Sequence, residues 1–433
     1  MLKTIFGEDI NPQVPTRLLK IAEDIRAAGG RAYLVGGFVR DTLLGNADSR
    51  DYDVEVYNIS QETLLSVLSK YGRADAVGRA FGVYHLSMKG LSLDFSFPRT
   101  ESKVGRGHKG FVVETHTDLS FKEAAFRRDF TVNAMGMELP TFELNDPYNG
   151  ERDLRNGVLR HVGSAFAEDS LRILRGVQFA ARFRLQLADE TRDLCRTLSL
   201  DDLSKERIYE EFKKWLLKPG LRSLGLKTFL AMDLLRFFPE ILPLNNSYEL
   251  LGEYLDNISE AAVEFPEESR MILAFASLLS GNAEPAESVK FLDKMTNEIK
   301  ILKGVPLLLE YAPKVKTAIS ERTLPSDSEI RRLSVALNGL EMFLAFVAAN
   351  PVLDQDARSD FAYNFKLRAC ELGVFEHAPE PYLTGRYLMS IGQKPGKLFG
   401  ELIKESFELQ LDGKLTCVSD AEAWAYARLA EKS

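Results

Sequence analysis

The chain has 433 residues, 45% hydrophobic and 27% charged, with a net charge of −8, enough to bury sizeable cores in about two to four domains. No run approaches the roughly 20 apolar residues that cross a bilayer, and Met1-Leu-Lys-Thr-Ile-Phe-Gly-Glu8 lacks a secretory-signal pattern, so a cytoplasmic protein with no membrane partner is expected. Cys195, Cys370 and Cys417 are far apart and odd in number, which argues against a disulfide framework or a zinc site.

In chain order, an amphipathic helix is expected from Val14 to Gly29, with Pro15 near its start and Gly29-Gly30 at its end. Strand-like segments recur near 31–35, 51–57, 82–88 and 91–97, with a helix from about Ser60 to Tyr71. Beyond about residue 165 helical periodicity takes over, from Phe166 to Phe183, Glu190 to Leu198, Ser204 to Leu217 and onward. The expected fold class is α+β: an N-terminal part with a small mixed β-sheet and helices, then an all-α remainder. Apolar stripes such as Leu337, Leu340, Phe343, Leu344 and Val347 read as core.

The chemistry concentrates in Tyr33-Leu-Val-Gly-Gly-Phe-Val-Arg-Asp-Thr-Leu-Leu-Gly45, followed by Asp51-Tyr-Asp53. A strand runs into a turn at Gly36 and Gly37, which lack the Cβ that keeps a backbone away from a ligand. A helix starting near Phe38, with Arg40 and Asp41, points its free N–H groups at that turn, where an anion is favoured. Asp51 and Asp53 project from one face of a strand, within reach of a pair of divalent ions. Asp94 is the sole ionisable residue of the alternating segment Leu91–Phe97 and would complete a carboxylate cluster. Taken singly, Gly-Gly and Asp-x-Asp are common in surface turns; their order and spacing carry the functional reading. Residues 99–110 hold four Lys or Arg, three glycines and His108, and are expected to form a mobile loop whose cations suit phosphate.

These residues resemble the first signature of the class II nucleotidyltransferases, the tRNA CCA-adding enzymes and bacterial poly(A) polymerases. Further resemblances follow in that family's order: Arg127-Arg-Asp-Phe-Thr-Val-Asn-Ala-Met135, Asp146-Pro-Tyr-Asn-Gly-Glu-Arg-Asp-Leu154, Glu168-Asp-Ser-Leu-Arg-Ile-Leu-Arg175 and Ser204-Lys-Glu-Arg-Ile-Tyr-Glu-Glu-Phe-Lys-Lys214. Together they cover roughly residues 30 to 216.

The resemblance implies a nucleotidyltransferase that needs Mg2+ and adds CMP and AMP from CTP and ATP to the tRNA 3′ end without a nucleic-acid template. Asp51 and Asp53 would hold the metals, and Asp94 would help activate the primer hydroxyl. Gly36, Gly37, Arg40 and Arg128 would meet the nucleotide's phosphates and ribose. Asp169, Arg172 and Arg175 share a broad face if they lie on one helix; an Asp that accepts and an Arg that donates can meet the edge of a base, and Asp169 and Arg172 match the family's selecting pair. Outside this context the same spacing reads as a solvated salt bridge worth about 0.2–0.5 kcal/mol. Gln178 departs from the pattern, because many members carry an arginine there.

The implied division is a catalytic head over 1–150, a base-selecting neck over 151–220, and a helical body and tail over 221–433 that grip tRNA. Partial enzymes that add only CC or only A share every motif quoted, a poly(A) polymerase is a further alternative, and the oligomeric state is left open. The chain has no His-Asp dipeptide, and His377 is the only histidine after residue 220, so the metal phosphohydrolase domain of some relatives is not expected. Residues 1–220 carry 32 Lys plus Arg against 32 Asp plus Glu, and 221–433 carry 23 against 31. An acidic second half disfavours general RNA binding, whereas tRNA needs one basic surface, to which Lys300, Lys303, Lys314 and Lys316 could contribute.

Overall fold

The computed structural model describes the chain except residues 1, 11, 47–51, 77–81, 89–90, 104–110, 116–117, 283–284 and 433. It divides into two compact units, Met1–Phe237 and Phe238–Ser433.

The first unit opens with the strand pair β1 (Leu2–Lys3) and β2 (Asp9–Ile10) and helix α1 (Thr16–Ala27), then β3 (Arg31–Val35), α2 (Gly37–Leu43), β4 (Tyr52–Tyr57), α3 (Gln61–Ser69) and β5 (Ala74–Ala76). Strands β6 (Val83–Met88), β7 (Leu91–Ser96), β8 (Arg99–Lys103) and β9 (Phe111–Thr115) precede α4 (Phe121–Ala125), β10 (Gly136–Leu139), β11 (Glu143–Asn145), α5 (Gly150–Arg155) and β12 (Val158–Leu159). The unit finishes with α6 (Leu171–Phe183), β13 (Gln186–Leu187), α7 (Asp189–Thr197), α8 (Lys205–Leu217) and α9 (Arg222–Ala231).

Seven strands form one mixed sheet in the order β11-β10-β3-β4-β7-β6-β5. Its centre is β4, antiparallel to β3 and parallel to β7. Leu34, Val54, Val56, Leu86, Leu93 and Phe95 are buried in the sheet, the valines and the phenylalanine being residue types that suit a packed, pleated strand. Ser60 caps α3 by accepting from Thr63 N, and Ser120 with Glu123 forms a capping box on α4.

The sheet is larger than the four segments the periodicity marks, because β5, β10 and β11 are too short to alternate visibly. The 99–110 segment is also not wholly a loop: β8 and β9 pair as an antiparallel hairpin from Arg99↔Thr115 to Lys103↔Phe111, and its remainder, including His108, lies outside the described residues. Strand structure does not stop at 165 either, since β13 pairs in parallel with β12.

Helix α5 shows how tightly the unit is packed. Asp146 accepts from Gly150 N (2.7 Å) and Glu151 N (3.0 Å) and so caps it, while Asp153 accepts from Thr131 Oγ1 (2.8 Å). A Cβ on Gly150 would collide with the Thr131 carbonyl. Gly150→Ala is therefore expected to lower the unfolding free energy by about 1–3 kcal/mol. An unchanged midpoint in urea would show that this contact relaxes freely.

The second unit is helical, from Tyr248–Ala261 and Glu267–Leu278 through the long Ile299–Ser320 to Val418–Lys432. Phe275, Phe291, Phe343 and Phe365 fill its core, and the buried Tyr254 hydroxyl donates to the Phe346 carbonyl at 2.6 Å. Leu340, Phe343, Leu344 and Val347 are buried as their spacing predicts, while Leu337 is half-buried. Lys300, Lys303, Lys314 and Lys316 all lie on Ile299–Ser320, but Lys300 pairs with Glu268 (2.7 Å) and Lys314 with Glu310 (3.0 Å). Among the described residues no helix is long and apolar enough to cross a membrane.

Candidate active site

Strand β3 delivers the chain to Gly36, whose φ of 70° lies in the left-handed region that favours glycine. Helix α2 follows at once, and its Arg40 turns inward. Arg40 is 5% exposed, donates through Nη1 to Asn133 Oδ1 (2.6 Å) and through Nε to Asp41 Oδ1 (2.9 Å), and sits 3.9 Å from the centre of the Phe183 ring. Burial pulls its pKa down despite Asp41.

Strand β4 carries Asp53 outward into solvent, level with Asp94 on the parallel β7. Asp94 is in turn level with His85 on β6. Its Oδ1 lies 2.6 Å from His85 Nδ1, and His85 Nε2 is 3.3 Å from Ser92 Oγ. Two carboxylates thus stand side by side on neighbouring strands, with a histidine fixing the second. Asp51 lies outside the described residues. Among the described residues no three His, Cys, Asp or Glu side chains form a metal cage. Carboxylate oxygens are nevertheless the hard donors that suit Mg2+ or a similar divalent cation.

The next acid on β4 is buried where Asp53 is exposed. Glu55 is buried and accepts from Arg127 Nη2 (3.2 Å), Arg128 Nη2 (3.4 Å) and the Tyr57 hydroxyl (2.6 Å). Burial alone would raise its pKa, but Arg128 and Arg127 hold it below the usual carboxylate range. Arg128 also donates through Nη1 to the Asn133 carbonyl (3.3 Å), and it passes so near the glycine turn that a Cβ on Gly36 would lie 3.6 Å from Nη1. Its Nε is buried without a hydrogen-bond partner among the described residues.

Opposite this wall stands α6. Residues Ser164–Glu168 form a 3₁₀ turn rather than the start of the helix, and Asp169 is extended (φ −123°, ψ 103°), so it precedes the helix that carries Arg172 and Arg175 instead of sharing its face. The cause is local: Asp169 Oδ1 accepts from Leu171 N at 3.1 Å, a turn that competes with helix. Asp169 and Arg172 are anchored separately. Arg207 on α8 donates to both Asp169 oxygens (3.2 and 3.0 Å), while Arg172 donates to the carbonyls of Ala165 (2.6 Å) and Arg127 (2.5 Å). Arg175 donates through Nε to Asp129 Oδ2 (2.7 Å). Burial would raise the Asp129 pKa, but Arg175, Asn133 and the Phe130 N–H hold it down.

These walls enclose a cleft of about 560 Å³, lined by Gly36, Gly37, Arg40, Asp53, Arg128, Asp169, Arg172 and Arg175 among the residues expected from the sequence. Asp94 stands on the neighbouring strand, outside that lining.

The family model described as the poly A polymerase head domain matches residues 32–160. The CCA-adding enzyme of Bordetella pertussis is 35% identical over 301 residues, a match spanning 63% of this chain and 80% of that protein. The chain belongs to the CCA-adding enzyme family. The multifunctional CCA protein of Xanthomonas euvesicatoria pv. vesicatoria is 39% identical over 219 residues, which cover 49% of this chain and 51% of that protein. The chain thus spans about half the length of such relatives. A solved CCA-adding enzyme without ligand has a TM-score of 0.70 at 22% identity, over 96% of this chain and 97% of that one. The Thermotoga maritima CCA-adding enzyme complexed with tRNA has a TM-score of 0.66 at 21% identity, over 97% and 96%. Both show a common fold.

Within this member of the CCA-adding enzyme family the cleft contains more than its motifs single out. Arg127, Asp129, Asn133, Phe179, Arg182 and Arg207 also line it. Arg127, Asp129, Asn133 and Arg207 lie inside quoted motifs, so their positions were visible while their roles were not. Gln178, where many members have arginine, is buried and accepts from Arg182 Nη1 at 3.1 Å. A positive charge therefore remains one helical turn away.

Proposed function

We propose that this protein is a template-independent tRNA nucleotidyltransferase that adds CMP and AMP to the tRNA 3′ end. The observation that carries the reading is the convergence on one cleft of an acidic strand, an arginine wall and the Asp169–Arg172 pair. In this reading residues 1–150 are the catalytic head, 151–220 the neck and 221–433 the body and tail that bind tRNA, and the place of work is the cytoplasm.

The primer's 3′ oxygen attacks the α-phosphorus of CTP or ATP, the new P–O bond forms as the bond to the β-phosphate breaks, and pyrophosphate leaves. Asp94, held by His85, orients the hydroxyl and accepts its proton. Arg128, the Gly36–Gly37 turn and Arg40 hold the triphosphate and ribose, which removes translational freedom before the step. Asp51 and Asp53 would hold Mg2+, which when bound would supply positive charge against the transferring phosphate and the leaving pyrophosphate. Asp169 and Arg172 read the base edge, and Arg175 supports them through Asp129.

The test supplies tRNA ending at the discriminator base, at C or at CC, with labelled CTP and ATP. The expected products gain CCA, CA and A respectively. Addition that stops at CC, addition of A to the CC-ended tRNA with none to the other two, a long adenylate tail, or no addition would overturn the reading.

A further inference from the structure

Glu55 does not itself line the cleft, yet four of the arginines that do, Arg40, Arg127, Arg128 and Arg172, trace back to this one carboxylate. Strand alternation places it on the same side of β4 as Asp53, two positions further on, with a side chain 1% exposed. A carboxylate this deep is tolerated only where charge meets it, and here Arg127 and Arg128 do so from consecutive positions. The same two residues pass its influence on. The Arg127 carbonyl accepts from Arg172 Nη2 at 2.5 Å, and Arg128 Nη1 donates to the Asn133 carbonyl, whose side chain accepts from Arg40 Nη1 at 2.6 Å.

We propose that Glu55 is a positioning residue for nucleotide binding, clamping Arg127 and Arg128 so that Arg128 faces the nucleotide and the Arg127 carbonyl holds Arg172 towards the base. The inference rests on the transferase reading above. The cleft gathers Arg40, Arg127, Arg128, Arg172, Arg175, Arg182 and Arg207 within one small volume. Guanidinium groups this crowded repel one another, and a fixed buried anion at their base selects the one arrangement in which they converge. The competing role is structural: Tyr57, which donates to Glu55, packs edge-on to Tyr33 at 5.4 Å and lies 6.1 Å from Phe121 in the core. A purely structural Glu55 would move stability and leave nucleotide affinity alone.

The two roles separate in Glu55→Gln, which keeps the shape and removes the charge. In the full-length chain its KM for CTP and ATP is expected to rise by about tenfold or more, the scale of a lost charge-assisted hydrogen bond, while kcat on tRNA ending at C or CC falls by less than the KM rises. Glu55→Asp, which keeps the charge with a shorter reach, should give an intermediate rise, and Tyr57→Phe should leave KM unchanged. Calorimetric titration of CTP into each variant without tRNA reads the same effect where turnover is weak. Wild-type CTP affinity in both Glu55 variants, or an effect confined to kcat or to the melting temperature, would overturn the proposal. A wild-type chain that binds no CTP and labels no tRNA would instead overturn the transferase reading.

Discussion

Asp53→Ala is expected to reduce nucleotide incorporation by about a thousandfold or more while the protein stays folded. The size follows from what the residue would supply: a carboxylate holding divalent charge against the phosphate, in a step where electrostatic stabilisation is commonly the largest single contribution. The retained fold follows from position. Asp53 is exposed, level with Asp94 on the parallel neighbour β7, so its removal relieves a like-charge approach and creates no cavity. A change in unfolding free energy within about 0.5 kcal/mol is expected, the usual range for a surface substitution. Single-turnover labelling of tRNA ending in CC, with thermal melts of the same preparations, measures both. Ordinary turnover by the folded variant would remove Asp53 from the metal site.

The second large effect belongs to Asp169→Ala, and it falls on choice more than on rate. Asp169 accepts from Arg207 through both oxygens and precedes α6, while Arg172 is held by the carbonyls of Ala165 and Arg127. Removing the carboxylate would delete the acceptor proposed for the base edge and leave Arg207 without this counter-charge beside the cleft. Discrimination of CTP and ATP against UTP and GTP should fall by about ten- to a hundredfold, matching one charged hydrogen bond. The kcat for the correct nucleotide should fall by a smaller factor. Ratios of kcat/KM over the four triphosphates decide it, and unchanged ratios would show that base choice lies elsewhere.

How much of this was readable beforehand varies with the range of the interaction. The β3–Gly36–α2 unit and the strand around Asp53 were legible because their signals are local: β-branched residues, a glycine with positive φ and alternate carboxylates. The α+β division was legible for the same reason. The start of α6 was misplaced because residues 164–168 carry helical composition, and only the backbone turn closed by Asp169 stops the helix there. The pairing of His85 with Asp94 depends on strand register, and the burial of Glu55 beneath Arg127 and Arg128 depends on contacts more than 70 positions apart. Neither leaves a trace in local periodicity. Asp51, read as the partner of Asp53, lies outside the described residues.

Asp129 has a consequence for how a choice between two bases can be made. Its buried carboxylate accepts from Asn133 and from the Phe130 N–H on one side and from the partly exposed Arg175 of α6 on the other. The segment that carries Arg127 and Arg128 and the helix that carries Arg172 and Arg175 are therefore tied together. A hinge between them would have to break this ion pair and leave the Asp129 carboxylate without its counter-charge. Under the proposed function, switching from cytosine to adenine on such a frame would fall to rotation of individual side chains, with Arg172 exchanging a carbonyl for a base edge, while the frame itself keeps still.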